Sequence, residues 1–469
     1  MMHAWETGLR RHCSAASALQ HVTEIDERRG QVDRNLEWAT DIEKKLIGKA
    51  ALRIMPFLIV CYFVSFIDRV NIGFASFQME KDVHISPSIL GLGGGLYFVS
   101  YVLFEVPSNI LILKQGVRRF LARIMITWGI ISTGMALVQG PWSFSIVRFL
   151  LGAAEAGLFP GVILYLTYWF PKSYRGTYVG WFALAIPLSS FLGSPLSAAL
   201  LHLDGWLGLA GWQWLFIAEG LPAVVLGIVC MFYVDNHPED ARWLTPAERA
   251  IYRSMLERDR APDEASSGHA VPLWRVLCNP RVIGLAVVLA ASSATSNTFA
   301  VWAPRFIKSF NVSDMAVGWL NSAPFLLGAI AVIAAGYHSD RRSERIWHTA
   351  VPLIVAAIST ALLMVSSDFV PSYILLSLTV IGIYASKAPT WAVATEWLPD
   401  NIKAAGIAQI NAISSLISFF PIYLVGLIRE AHGSYALAFL PMAFISGGGA
   451  VMLLVMNYRR QVKAVKNFV

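Results

Sequence analysis

Charge is scarce in this 469-residue chain: Asp, Glu, Lys and Arg make up 14% of it, against 56% for the hydrophobic residues. Soluble domains carry about 25% charged residues, so a soluble fold is excluded for most of the length and the chain falls in the membrane class. Cysteine is scarcer still. Cys13, Cys61, Cys230 and Cys278 are scattered, with no CxxC pair and no histidine cluster beside them. That excludes a disulfide framework and a zinc site, and no metal is expected. There is no GxxxxGK[ST] loop to cradle a nucleotide, and the longest polar interval, 235–280, is too short for an ATPase domain. A primary pump is therefore excluded, and without a paired nucleophile and base or a sizeable soluble domain no enzyme is expected. The first 45 or so residues lack the apolar core and cleavage site of a signal peptide and read as a cytoplasmic tail.

What is present is oil, distributed along nearly the whole chain. Twelve apolar stretches fall near 54–77, 89–112, 121–139, 142–167, 176–200, 212–234, 281–304, 315–336, 349–366, 371–396, 404–428 and 436–457. About 20 helical residues cross a ~30 Å hydrocarbon core. Helices satisfy their own backbone in lipid, and blocks such as IMPFLIVCYF do not alternate as barrel strands would. The expectation is an all-α membrane protein of 12 transmembrane helices in two six-helix bundles, 51–234 and 281–457. A tail (1–50), a central loop (235–280) and a second tail (458–469) lie on the cytoplasmic side. The net charge of +7 agrees: most Lys and Arg fall in the tails and alternate loops, the positive-inside bias that orients helices. No nucleic-acid motif accompanies them. Thr245, Pro246 and Glu248 form a capping-box start for a surface helix, and SSGH (266–269) reads as a flexible linker.

The halves repeat weakly. NILILKQGVRR aligns with GYHSDRRSER, placing Lys114 on Arg341 at an offset of 227, and Trp169 in YWFP aligns with Trp397 in EWLP at an offset of 228. Two landmarks agreeing within one residue point to a duplication. Such a chain resembles the major facilitator superfamily of secondary transporters. GYHSDRRSER looks like that superfamily's signature loop, with Gly336, Asp340 and Arg341 in register. The first-half copy departs from it at Asn109 and Leu113.

Ionisable residues inside a membrane cost roughly 2.5–3.5 kcal/mol each on insertion scales and are functional candidates by default. Glu219, Glu396 and Arg305 read as interface anchors near helix ends. Asp68 and Arg69, in VSFIDRVNIG, do not: the first helix is bracketed by Arg53 and Lys81, whose midpoint is Ile67. Adjacent helical residues point about 100° apart, so the two need separate partners. A helix–helix staple is the rival reading. In RFLLGAAEAGLFPG, Glu155 is central and Arg148 lies two turns before it, about 10 Å along the axis; for Arg148, pairing and gating stand level. Tyr101 is central in its helix, with Glu105 a turn on. Asn297 interrupts an over-polar seventh helix. Lys387 lies near mid-depth beside Pro389, Thr390 and Trp391, where a proline-broken helix is expected to form a binding site. Asn411, Ser415 and Ser418 recur at helical spacing, as polar glue or as ligand contacts. Central cations favour an anionic substrate, and buried acids can take up and release a proton.

Within the superfamily, SFIDRVNIGFA, YFVSYVLFEVPSN, RFLLGAAEAGLFPGVILYLTYWFP, GWQWLFIAEGLPAVVLG and AAGIAQINAISSLISFFPIYLVG are similar to the anion:cation symporter family. That resemblance implies proton-coupled uptake of an organic carboxylate across the inner membrane, powered by the proton motive force without a cofactor, by a monomer. It implies Asp68 and Glu155 in proton coupling, Arg69, Tyr101, Thr390, Trp391 and Asn411 at the substrate, and Asp340 and Arg341 in gating; the residues themselves add Asn297 and Lys387 as substrate-site candidates and Arg148 as a gating or pairing one. Lys387 departs from the pattern and would suit a dicarboxylate. LHLDGWLGLAGWQWLF inclines the substrate toward an aromatic carboxylate or dicarboxylate; the alternatives are a sugar acid, tartrate, or an uncoupled anion facilitator.

Overall fold

The computed structural model describes the backbone of residues 2–264, 276 and 278–466, and the side chains of 41–259, 276, 278–399, 402–403 and 405–463. Within them run twelve helices long and apolar enough to cross a membrane. They are α1 (Asp41–Asp82), α2 (Pro87–Gln115), α3 (Val117–Leu137), α4 (Pro141–Trp169), α5 (Lys172–Leu201) and α6 (Gly211–Tyr233) in the first half. The second half holds α7 (Pro280–Lys308), α8 (Asp314–Arg342), α9 (Ile346–Val365), α10 (Phe369–Trp397), α11 (Ala405–His432) and α12 (Tyr435–Lys463). The linker expected at 266–269 lies outside the described residues.

Local chemistry sets the boundaries. Pro87 and Pro280 open α2 and α7 at the first helical turn, where no N–H is needed, behind the caps Ser86 and Asn279; Asn279 Oδ1 accepts from Arg281 N at 2.9 Å. The duplication is visible at the ends of α4 and α10. Both stop at a tryptophan, Trp169 and Trp397, followed by an extended residue and a proline. The capping box at the surface helix Pro246–Glu264 forms as expected: Glu248 Oε2 accepts from Thr245 N (2.8 Å), and Thr245 Oγ1 accepts from Glu248 N (3.2 Å).

One expectation about helix continuity needs correction. Pro389 does not break α10, which is continuous from Phe369 to Trp397. The break falls in α4 instead, where Gly157 takes φ +93°, a left-handed conformation that a side chain resists. It comes two residues after Glu155, so that acid ends its helical segment.

With twelve spans, the chain ends share one face of the bundle. At the opposite face, the far end, the two halves pack tightly. Gly426 of α11 lies so close to α2 that an added Cβ would sit 2.3 Å from the Pro87 carbonyl oxygen, and one on Gly318 of α8 would sit 2.8 Å from the Ala198 methyl of α5. Small residues permit this approach. Polar contacts sew the same seam: Asn321 Nδ2 donates to Ser194 Oγ (2.8 Å), and Glu430 Oε2 accepts from Ser86 Oγ and Ser88 N (both 2.8 Å). Around them one apolar core draws on both halves, with Ile72, Phe74, Leu90 and Phe144 from the first and Trp302, Phe306, Val425 and Phe439 from the second. Arg305, expected at a lipid interface, is in fact buried in this seam. It pairs with Glu80 of α1 and donates to the Ser76 carbonyl at 3.3 Å.

Candidate functional site

Between the halves lies a cavity of about 190 Å³, walled by α1, α2, α4 and α5 on one side and α7, α10 and α11 on the other. Six of the seven expected substrate-site residues are brought together there: Arg69, Tyr101, Asn297, Lys387, Trp391 and Asn411 all line it, as does Arg148. Thr390 does not. Its hydroxyl is buried and donates to the carbonyl of Ser386 in its own helix at 2.7 Å.

The neighbouring charges Asp68 and Arg69 do separate, as the 100° step requires, and each finds a partner on another helix. Arg69 donates through Nε (3.1 Å) and Nη2 (2.6 Å) to Glu155 Oε1. The same carboxylate, wholly buried, also accepts from Ser65 and the Tyr97 hydroxyl. The guanidinium carbon of Arg69 lies 4.6 Å from the Phe66 ring and 5.6 Å from that of Tyr101. Glu155 thus stands one layer behind the wall, masked by Arg69. Asp68 faces away from the cavity and accepts from Trp128 Nε1 (2.9 Å), Asn71 Nδ2 (3.0 Å) and Ser132.

Arg148 is 2% exposed, with its Nε and Nη1 unpartnered and its guanidinium 5.3 Å from the Tyr97 ring. A buried donor left unpaired is costly, and this one faces a cavity. Across the space, Lys387 donates to Ser296 Oγ (3.0 Å) and sits 4.2 Å from the Tyr384 ring. Asn297 Nδ2 donates to Ser418 Oγ of α11 (3.2 Å). Of the three cations on the wall, only Arg69 is spent on a carboxylate. The arrangement can bind an anion between Arg148 and Lys387, and a second acceptor on Arg69 whenever Glu155 lets go.

The residues that sequence reading passed over are the supporting ones. Ser65 and Tyr97, which support Glu155, lie four residues before Arg69 and Tyr101 and so share a helix face with them; that spacing was the available signal. Ser296 and Trp128 carried none.

The sequence model of the Major Facilitator Superfamily matches residues 58–420 and 292–468. The chain belongs to the Major Facilitator Superfamily. Among relatives in that superfamily, a protein named putative tartrate transporter from Agrobacterium vitis is 43% identical over 89% of this chain and 96% of its own. A quinolone resistance transporter from Acinetobacter baumannii is 36% identical over 87% and 94%. The crystal structure of a D-xylose–proton symporter superposes with a TM-score of 0.69 over 86% of this chain and 97% of that one, at 15% identity, which speaks for the fold. The protein is accordingly a multi-pass membrane transporter and not an enzyme. Its second-half superfamily loop is engaged: Asp340, at the end of α8, pairs with Arg345, which also donates to Ser339 Oγ (3.1 Å) and to Glu396 Oε1 of α10 (3.2 Å). The cation is Arg345; Arg341 is exposed beside it. Glu396, expected as a lipid-interface anchor, is a member of this cluster. In the first half, where Leu113 replaces the aspartate, Asn236 Oδ1 instead accepts from Arg118 N at 3.0 Å and ties the α2–α3 link to the end of α6.

Proposed function

We propose that this transporter carries a small organic carboxylate together with protons across the inner membrane by alternating access, its chain ends in the cytoplasm. The observation that carries the reading is the Arg69–Glu155 pair in the wall of a cation-rich cavity. While Glu155 is ionised, Arg69 is occupied; a proton on Glu155 frees two parallel N–H donors for a substrate carboxylate. Proton and anion then load together. The distribution of Lys and Arg supports the orientation.

Arg148 and Lys387, on opposite halves, favour a substrate with two anionic ends. The relatives named for tartrate, 43% and 42% identical, point the same way, and we take a tartrate-sized dicarboxylate as the substrate class. A second reading, an aromatic carboxylate, has Tyr97, Tyr101, Tyr384 and Trp391 in the wall in its favour. The test is uptake of labelled L-tartrate into proteoliposomes. An imposed pH gradient should concentrate it, an uncoupler should abolish the gain, and Glu155→Gln should keep exchange while losing accumulation. Downhill flux that ignores the gradient would make the protein an uncoupled facilitator. A thermal-shift panel of tartrate, phthalate and benzoate then sorts the substrates, since a ligand of the folded state stabilises it by RT ln(1 + [L]/Kd). Lys387→Ala should cost a dicarboxylate about 1.5–3 kcal/mol, roughly 10–150-fold in Kd, and leave a monocarboxylate unchanged. An equal loss for both would remove Lys387 from substrate reading.

A further inference from the structure

Charged groups that the central cavity leaves unused lie in two places. One is internal to the first half, where Glu219, expected at a lipid interface, is 4% exposed and accepts from Ser197 Oγ at 2.8 Å. The other is reached from solvent, at the face of the bundle that bears the chain ends. There a cavity of about 470 Å³ opens between the last turn of α4, the first turn of α5 and the surface helix Pro246–Glu264. Tyr168, Lys172, Arg175, His237 and Asp259 furnish its polar wall. Among the described residues of that wall, two cations stand against one carboxylate, so positive charge is in excess even with His237 neutral.

The acid is already engaged. Asp259 Oδ2 accepts from Lys172 N at 3.0 Å and lies 3.7 Å from Arg175 Nη2. The Arg175 guanidinium is only partly used: Nη2 donates to the Phe170 carbonyl at 3.2 Å, whereas Nε is shut off from water and has no partner. A buried donor left unpaired costs free energy, and the residue that carries this one lines the cavity. His237 adds an imidazole, its ring 4.8 Å from that of Tyr168, which adds a hydroxyl. One guanidinium fork would satisfy a planar carboxylate. Donors arriving from α4, from α5 and from the segment after α6 suit a group whose oxygens point in several directions. That group is a phosphate. The position agrees, because α4 ends at Trp169 and α5 begins at Lys172. The cavity therefore lies just beyond the ~30 Å hydrocarbon core, at the level of phospholipid headgroups.

We propose that this cavity is a binding site for a phosphate ester, separate from the transport cavity, with Arg175 and Lys172 holding the phosphate oxygens and His237 and Tyr168 donating beside them. The ester is a phospholipid headgroup of the leaflet on this face or a soluble phosphate; the recognising chemistry is the same. Nothing in this inference depends on the proton-coupled reading.

The test uses the full-length protein in detergent and two probes. Thermal shift with glycerol 3-phosphate at fixed ionic strength reads a soluble ester, since a ligand of the folded state stabilises it. Native mass spectrometry with phosphatidylglycerol and phosphatidylcholine reads a headgroup, as retention of the first over the second. At least one probe should bind wild type. Arg175→Gln should weaken it about tenfold or more, the loss expected for one hydrogen bond to a charged group. Lys172→Ala combined with His237→Ala, at two exposed positions, should do the same and decides the matter if Arg175→Gln does not fold. Arg119→Ala, which removes an exposed cation of the same face outside the cavity, should leave the affinity unchanged, as should Lys387→Ala in the transport cavity. A response to glycerol 3-phosphate alone assigns the site to soluble esters, and selective retention of phosphatidylglycerol assigns it to lipid. Failure of both probes to bind, an equal loss in Arg119→Ala, or a loss in Lys387→Ala with the cavity variants unaffected overturns the site.

Discussion

Replacing Arg305 with alanine should loosen the far end of the bundle. In the closed seam this guanidinium is 6% exposed, paired with Glu80 and bonded to the Ser76 carbonyl. Hydrogen bonds to charged groups contribute about 1.5–3 kcal/mol. Glu80 is 47% exposed, so its carboxylate returns to water when the partner goes, and the loss falls nearer 1–2 kcal/mol. None of that energy is available once the halves part, so the closed-to-open ratio should drop by roughly 5–30-fold. The assay is a spin-label distance across the seam, between Lys81→Cys in the last turn of α1 and Met315→Cys at the start of α8, both exposed. The long-distance population should grow in Arg305→Ala and largely revert in Arg305→Lys. Asp314→Asn is the control: it breaks a 2.6 Å pair with Lys308 that lies wholly within the second half. An unchanged distribution in Arg305→Ala, or an equal change in the control, would show that the inter-half pair does not bias the equilibrium.

Two further outcomes can be stated. Lys49 and the Thr245 N–H hold the Glu248 carboxyl below its ordinary value of 4.5; a lowered folded-state pKa means the stabilisation is present above 4.5 and lost as pH falls through the folded value. Protection of the Pro246–Glu264 amides against hydrogen exchange, taken relative to the intrinsic rate at each pH, should therefore fall on acidification past that point, and Glu248→Gln should flatten the response. Gly152→Ala places a methyl 2.1 Å from the Tyr97 carbonyl oxygen and 2.3 Å from Ser100 Oγ, an overpacking that costs about 1–3 kcal/mol. Its melting temperature should fall clearly, while Gly176→Ala, with open space around it, should not change.

The span pattern and the Thr245 cap were legible because each depends on residues close in sequence. Arg69, Tyr101 and Lys387 do meet around one cavity, as their central positions within their helices suggest. What the chain could not display was which face each side chain takes and which helix stands opposite. Asp68 and Arg69 look like a pair on paper, yet the first goes to Trp128 and Ser132 and the second to Glu155. Glu219 and Arg305 were misjudged for the same reason. Distance from a helix end says how deep a charge lies, not whether lipid or another helix lies beside it, and Arg305 found Glu80 across a boundary 225 residues away in sequence. Pro389 misled differently, since a neighbouring turn can tolerate a lost N–H, whereas the left-handed Gly157 cannot continue a helix.

The apolar core shared between the halves at the far end also gives the transport cycle a thermal sign. Parting that seam would wet Trp302, Phe306, Leu90 and their neighbours, and hydration of apolar surface carries a positive heat capacity. Apolar cohesion weakens on cooling, so chilling would tilt the molecule toward the conformation in which this face stands apart. Temperature is then a lever on which way the cavity looks, acting through oil and water at one end of the bundle and leaving the charges at its centre untouched.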